Sequence, residues 1–244
     1  MNGFKHRVDN FPPIVKNLII INVLVFVAQI TLQSQFPVTE KIMLYPFMPE
    51  QLYNMLVQSG SISPDHKFAP YQIATHMFAH SPGMLFHILF NMFGLWMFGK
   101  ILENVWGGKR FLFFYLACGV GAAICHLAIQ YFRCEALLQA VLADNAADIA
   151  KYSGAIAPAL GASGAVMGIF AAFAYLFPNT ELYLMFIPIP IKAKWAVLGM
   201  AAYDIFGGVS NSGDNVAHFA HLGGALTGFI IVLIWNKRDR GRFY

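Results

Sequence analysis

Three short stretches of this sequence carry side chains able to perform acyl transfer. LGASG presents Ser163 among small residues, HILFN holds His87 and Asn91, and AHFAHLGGALTG holds His218 and His221. A serine hydroxyl is a weak nucleophile until an adjacent base takes its proton, and imidazole is the usual base. Amide and imidazole N–H groups are suited to hold the negative oxygen that forms when a carbonyl is attacked. A serine, a base and two further donors are a sufficient kit if the fold gathers them.

The elements that must gather them are membrane helices. Hydrophobic residues make up 58% of the 244, and charged residues only 11%, against about 25% in soluble domains. Six segments are long and apolar enough to span roughly 30 Å of hydrocarbon: Val15–Leu32, Met84–Val105, Phe111–Phe132, Leu160–Phe177, Ala193–Gly208 and Val216–Trp235. The fold class is therefore all-α, a polytopic bundle of six transmembrane helices. Residues 1–14 read as an N-terminal tail, 15–235 as one membrane domain, and 236–244 as a basic C-terminal tail. Lys5, Arg7 and Lys16 before the first span resemble the flank of a signal peptide. No small-residue cleavage site follows, so that helix is expected to be retained.

Charge tests this partition. With the N-terminus inside, inner loops and tails hold 12 of the Lys and Arg residues and outer loops hold 4, the asymmetry that the positive-inside rule requires. The net charge of +4 is thus spent on topology, and scattered basic residues give no nucleic-acid surface. Cys118, Cys125 and Cys134 have neither metal-ligand spacing nor an even count. Outer residues 33–83 contain short amphipathic stretches suited to the interface. Residues 133–159 are alanine-rich and read as an interfacial helix.

Polar groups inside spans are costly, so the three stretches are functional candidates. Helices two, four and six all run from outside to inside. His87 and Asn91 fall one to two turns into helix two, Ser163 one turn into helix four, and His221 just over one turn into helix six. At 1.5 Å per residue these depths agree, which points to a single site in the outer leaflet. Small residues beside Ser163 and His221 (Gly164, Gly168, Gly224, Gly228) let the two backbones approach closely. The Ser163 N–H, near a helix start, adds a donor favoured by the helix dipole.

Other polar residues admit blander readings. His76 and His80 have zinc-ligand spacing, but loop hydrogen bonding suits them better. His218 could orient the base or take a water, but a structural role suits it better; Asp204 could orient His221, but an outer-loop contact is the favoured reading. Loop 209–215 (VSNSGDN) has the composition of a lid. Two rival functions follow: a metal-binding or metal-transporting protein using His76, His80, His87, His218 and His221, and a non-catalytic binder of transmembrane helices.

H-x-x-x-N, then G-x-S-G, then A-H-x-x-G-x-x-x-G, in that order over roughly residues 70–235, resemble the rhomboid intramembrane serine proteases. THMFAH before the first motif and Glu103 after it add to the likeness. The resemblance implies that Ser163 is the nucleophile and His221 the general base, since only His221 has glycine at both +3 (Gly224) and +7 (Gly228). It implies that His87 and Asn91 stabilise the oxyanion, with Gly161 and Gly164 completing the nucleophile motif. Met167 stands where some members carry an aromatic against the histidine, so altered packing is expected there. No cofactor or metal is implied. The implied partners are transmembrane protein substrates within the lipid bilayer. The short tails suit a compact bacterial form in the cell membrane, both termini cytoplasmic.

Overall fold

The computed structural model describes residues 9–183, 190–210 and 217–238. Within them, each expected span is a helix. They are α1 (Pro13–Thr31), a continuous run over Leu85–Trp106, α7 (Gly108–Leu142), α9 (Ser163–Leu176), α10 (Ala193–Ser210) and α11 (His218–Arg238). The second run comprises α5 (Leu85–Gly94), a π-helical turn (Leu95–Gly99) and α6 (Lys100–Trp106). Among the described residues, four of the six, α9 and α10 excepted, are long and apolar enough to cross a membrane. The sixth span was expected from Val216, but residue 216 and the candidate lid from 211 onward lie outside the described residues.

The loop 33–83 carries three short helices, α2 (Val38–Ile42), α3 (Glu50–Gln58) and α4 (Gln72–Thr75). A small antiparallel pair, β1 (Glu181–Tyr183) with β2 (Pro190–Lys192), sits between α9 and α10.

One outer segment differs from expectation. The interfacial helix foreseen in 133–159 is largely a continuation of α7, which runs unbroken for 35 residues, about 52 Å at 1.5 Å per residue. The reason is local: CEALLQAVL holds no glycine or proline, and its alanines and leucines are strong helix formers. Beyond it, Asn145 caps α8 (Ala146–Tyr152) by accepting from the Ala147 and Asp148 N–H groups. The extension buries Cys134, Leu137 and Leu138 against Leu52 of α3 and Ala155.

At the opposite end of the bundle from loop 33–83, Pro13 opens α1 and Glu103 caps it. Its buried carboxylate accepts from Ile14 N–H at 2.9 Å and Val15 N–H at 2.7 Å. Two N–H groups with no partner inside the helix are thereby satisfied by an anion at the positive end of the dipole.

The centre of the bundle is α7, α9 and α11, and what joins them is the absence of side chains. A Cβ on Gly224 would fall on the Gly164 carbonyl, and one on Gly228 would lie 2.6 Å from the Gly168 carbonyl oxygen. Gly164 and Gly168 in turn face Ala122 and Cys118 of α7, and Gly223 faces Cys125. In lipid, dispersion and close packing replace the hydrophobic effect as the force between helices. Helix α11 therefore lies backbone against backbone on α9.

Candidate active site

Helix α9 has 14 residues, about 21 Å, which is short of the hydrocarbon thickness. The chain leading to its N-terminal end is irregular. Ser163 is the first residue of α9, not one turn in as the sequence suggested, with Ala162 at the cap position. Its N–H consequently has no helical carbonyl to bond.

Irregular backbone within a membrane is tolerated only where protein satisfies it. Here the Leu44 and Ala159 backbones exchange two bonds of 2.8 Å, Gln130 donates to the Ala157 carbonyl at 3.2 Å, and Gly161 N–H donates to the His76 carbonyl at 2.9 Å. Gly161 adopts φ +126°, and a Cβ there would sit 2.7 Å from His87 Nε2 and 3.6 Å from Ser163 Oγ. Only glycine fits both the angle and the space. The same figures show that the His87 ring and the Ser163 hydroxyl flank one small gap.

Ser163 Oγ and His221 Nε2 are 2.8 Å apart. His221 Nδ1 donates to Asp204 Oδ1 at 3.0 Å, so Nε2 is the acceptor and the serine hydroxyl the donor. His218 Nδ1 donates to the same Asp204 oxygen at 2.8 Å. Asp204 and His218 are buried, and His221 is partly open. Asp204 thus faces the histidines of α11, not the outer loop as expected. The available signal was an acidic residue within an apolar span. Its distance along the chain from His221, on a separate helix, left the pairing as the less favoured of the two readings.

His87 lies on the first turn of α5. Ser81 N–H donates to its Nδ1 at 3.3 Å, which puts the hydrogen of the neutral ring on Nε2, facing the gap beside Ser163. Asn91, one turn further, is buried and uses one amide N–H to bond the His87 carbonyl at 2.8 Å; its amide has a second N–H. Met167 is buried one turn beyond Ser163.

His76 and His80 support this framework from outside the spans. His76 Nδ1 donates to the Gln72 carbonyl at 3.0 Å, while its own carbonyl holds Gly161. The His80 backbone is pinned on both sides by Gln29 of α1, whose amide donates to its carbonyl and accepts its N–H, each at 2.9 Å. Burial pushes the His76 imidazole below its ordinary pKa. Burial, with the His87 ring second, pushes His80 down to about 3. Both stay neutral at physiological pH. Among the described residues, no three His, Cys, Asp or Glu side chains converge as a metal-ligand set.

Residues 67–238 match the Rhomboid domain family. The chain belongs to the rhomboid family. As a rhomboid it is a multi-pass helical membrane protein. It is 27% identical over 166 residues to Rhomboid protein 1, mitochondrial, of Saccharomyces cerevisiae, covering 68% of this chain and 42% of the relative. It is 31% identical over 163 residues to RHOMBOID-like protein 12, mitochondrial, of Arabidopsis thaliana, covering 64% and 44%. With the human Presenilin-associated rhomboid-like protein, mitochondrial, it shares 31% over 162 residues, covering 64% and 37%. This rhomboid therefore spans less than half the length of each of these relatives.

Proposed function

We propose that this rhomboid is an intramembrane serine endopeptidase that cuts other membrane proteins in or near their transmembrane segments. The observation that carries the reading is the 2.8 Å contact between Ser163 Oγ and His221 Nε2, set at the start of a helix beside an imidazole donor.

The chemistry follows from the atoms. The Ser163 Oγ–H proton passes to His221 Nε2 as Oγ bonds to the substrate carbonyl carbon. The carbonyl oxygen, now negative, is held by the Ser163 N–H and the His87 Nε2–H, with the free amide N–H of Asn91 as a third donor. One such donor is typically worth about 3 kcal/mol in the transition state. His221 then gives its proton to the leaving amine nitrogen, and the peptide C–N bond breaks to leave an acyl-serine. A water attacks that ester, its proton goes to His221, and collapse returns a proton to Ser163 Oγ and frees the acid. No metal or cofactor enters any step.

The substrate peptide must be unwound to reach Ser163, because helical peptide bonds are shielded. Helix-breaking or small residues near the cut are therefore favoured. The inner excess of basic residues, 12 against 4, supports cytoplasmic termini and an extracytoplasmic opening. His221 Nε2 is engaged with the Ser163 hydroxyl, which favours hydrolysis over a histidine-based metal site.

Labelling with a fluorophosphonate and cleavage of a transmembrane reporter in liposomes test the proposal. The parent is expected to react in both assays, and Ser163→Ala and His221→Ala to fall to background. Cleavage that persists in Ser163→Ala would sink the reading.

A further inference from the structure

The Ser163–His221 pair is not alone. Among the described residues of α10, Asp204 is the only buried polar side chain; the others buried there are Ala193, Gly207 and Gly208. A carboxylate in that setting is costly unless it is paired. Its Oδ1 is paired twice, with His221 Nδ1 at 3.0 Å and with His218 Nδ1 at 2.8 Å. The first bond falls on the imidazole nitrogen opposite the one that meets Ser163. The second anchors the carboxylate from the preceding turn of α11, where the His218 ring lies against Gly207.

Building on the serine-protease reading above, we infer that Asp204 is a positioning residue for His221, completing a Ser163–His221–Asp204 relay delivered by three different helices. An acceptor at Nδ1 does three things for a base. It keeps the hydrogen on Nδ1, so that the lone pair on Nε2 faces the serine. It fixes the rotation of the ring. It also stabilises the imidazolium formed when the serine proton arrives. A neutral imidazole in water prefers its hydrogen on Nε2, so without an acceptor at Nδ1 the common tautomer is the unproductive one.

Helix α10 is fastened at the level that this role needs. Arg133 of α7 donates to the Gly208 carbonyl at 2.6 Å and lies over the Phe219 ring of α11, 5.2 Å from its centre. The outer end of α10 is thereby tied to both neighbours just one turn beyond Asp204. Other titratable groups facing His221 are His87 on α5, His126 on α7 and His218 on its own helix.

The test is the fluorophosphonate labelling rate for the parent, Ser163→Ala and Asp204→Asn in detergent, with folding checked by thermal unfolding. Asp204→Asn keeps the shape and removes the charge. Labelling is expected to slow by about 100-fold or more. In 15N spectra of histidine-labelled protein, neutral His221 is expected to lose the Nδ1–H tautomer in Asp204→Asn. A rate within threefold of the parent overturns the role. A slower rate with the parent tautomer retained also overturns it, since Asp204 would then only dock α10. Should Asp204→Asn not fold, 15N spectra of histidine-labelled parent decide, with the His221 signal identified by its loss in His221→Gln. Neutral His221 is expected as the Nδ1–H tautomer; the Nε2–H tautomer overturns the inference. A parent that does not label, or a Ser163→Ala protein that does, instead removes the underlying protease reading.

Discussion

Helix α11 meets its two neighbours by opposite means. Against α9 it presents Gly224 and Gly228 to the Gly164 and Gly168 carbonyls, leaving no side chain between the backbones. Against α10 it presents His218, His221 and Phe219 to Asp204, Gly207 and Gly208. The first contact has no rotamers to adjust and nothing to titrate. The second depends on hydrogen bonds that can be broken and remade. The contrast teaches that the nucleophile and base are set by backbone geometry, whereas the group behind the base is set by side-chain chemistry.

The strongest way to break this contrast is to put a side chain into the glycine contact. Gly224→Val would drive its Cβ into the Gly164 carbonyl, and overpacking of backbone cannot be relieved by a rotamer change. A loss of more than about 4 kcal/mol, or failure to fold, is expected, read by thermal unfolding in detergent. A well-folded Gly224→Val protein would mean that the two helices are free to separate.

Acid sharpens the contrast with a smaller effect. Both His76 and His80 have folded pKa values below the ordinary 6.5, His80 at about 3. As pH falls below the unfolded value the unfolded chain takes up protons first, so this contribution to stability is complete above about pH 6.5 and shrinks towards pH 3. The slope is up to about 1.4 kcal/mol per pH unit for each group. Unfolding temperature should drop between pH 7 and pH 4.5. Hydrogen exchange should then show the segment around His76 and His80 opening while the α9–α11 contact stays protected. Equal opening of both would erase the distinction.

The smallest effect is expected at the α10 junction. Arg133→Gln removes a charge-assisted bond to the Gly208 carbonyl, worth about 1–2 kcal/mol. Unfolding should shift by that amount, and fluorophosphonate labelling should slow less than tenfold. A loss as large as that of Gly224→Val would place α10 among the rigid parts of the bundle.

Much of this was legible in the sequence because apolarity and helical period act locally. A bilayer leaves a chain only helices or closed barrels, so long apolar runs at once gave the class and the approximate spans. The small residues around Ser163 and after His221 announced a close helix contact for the same reason: a missing Cβ is visible one residue at a time. The register of AHFAH was legible too, since only His221 carries Gly224 and Gly228 behind it.

The length of α7 was less legible, because nothing in CEALLQAVL distinguishes a helix that lies along the interface from one that continues straight out. The start of α9 at Ser163 itself depended on distant partners: the His76 carbonyl for Gly161, and the Leu44 backbone for Ala159. The use of Asp204 was decided only when α10 and α11 came together. A carboxylate in a span states that a partner exists, but a hydrogen bond of 3.0 Å is a fact about two helices in space. By itself the sequence determined which segments are apolar enough to enter the membrane and which residue types are available for chemistry. Tertiary structure alone decided which nitrogen faces which oxygen, because those distances are fixed by packing between elements that the chain order keeps far apart.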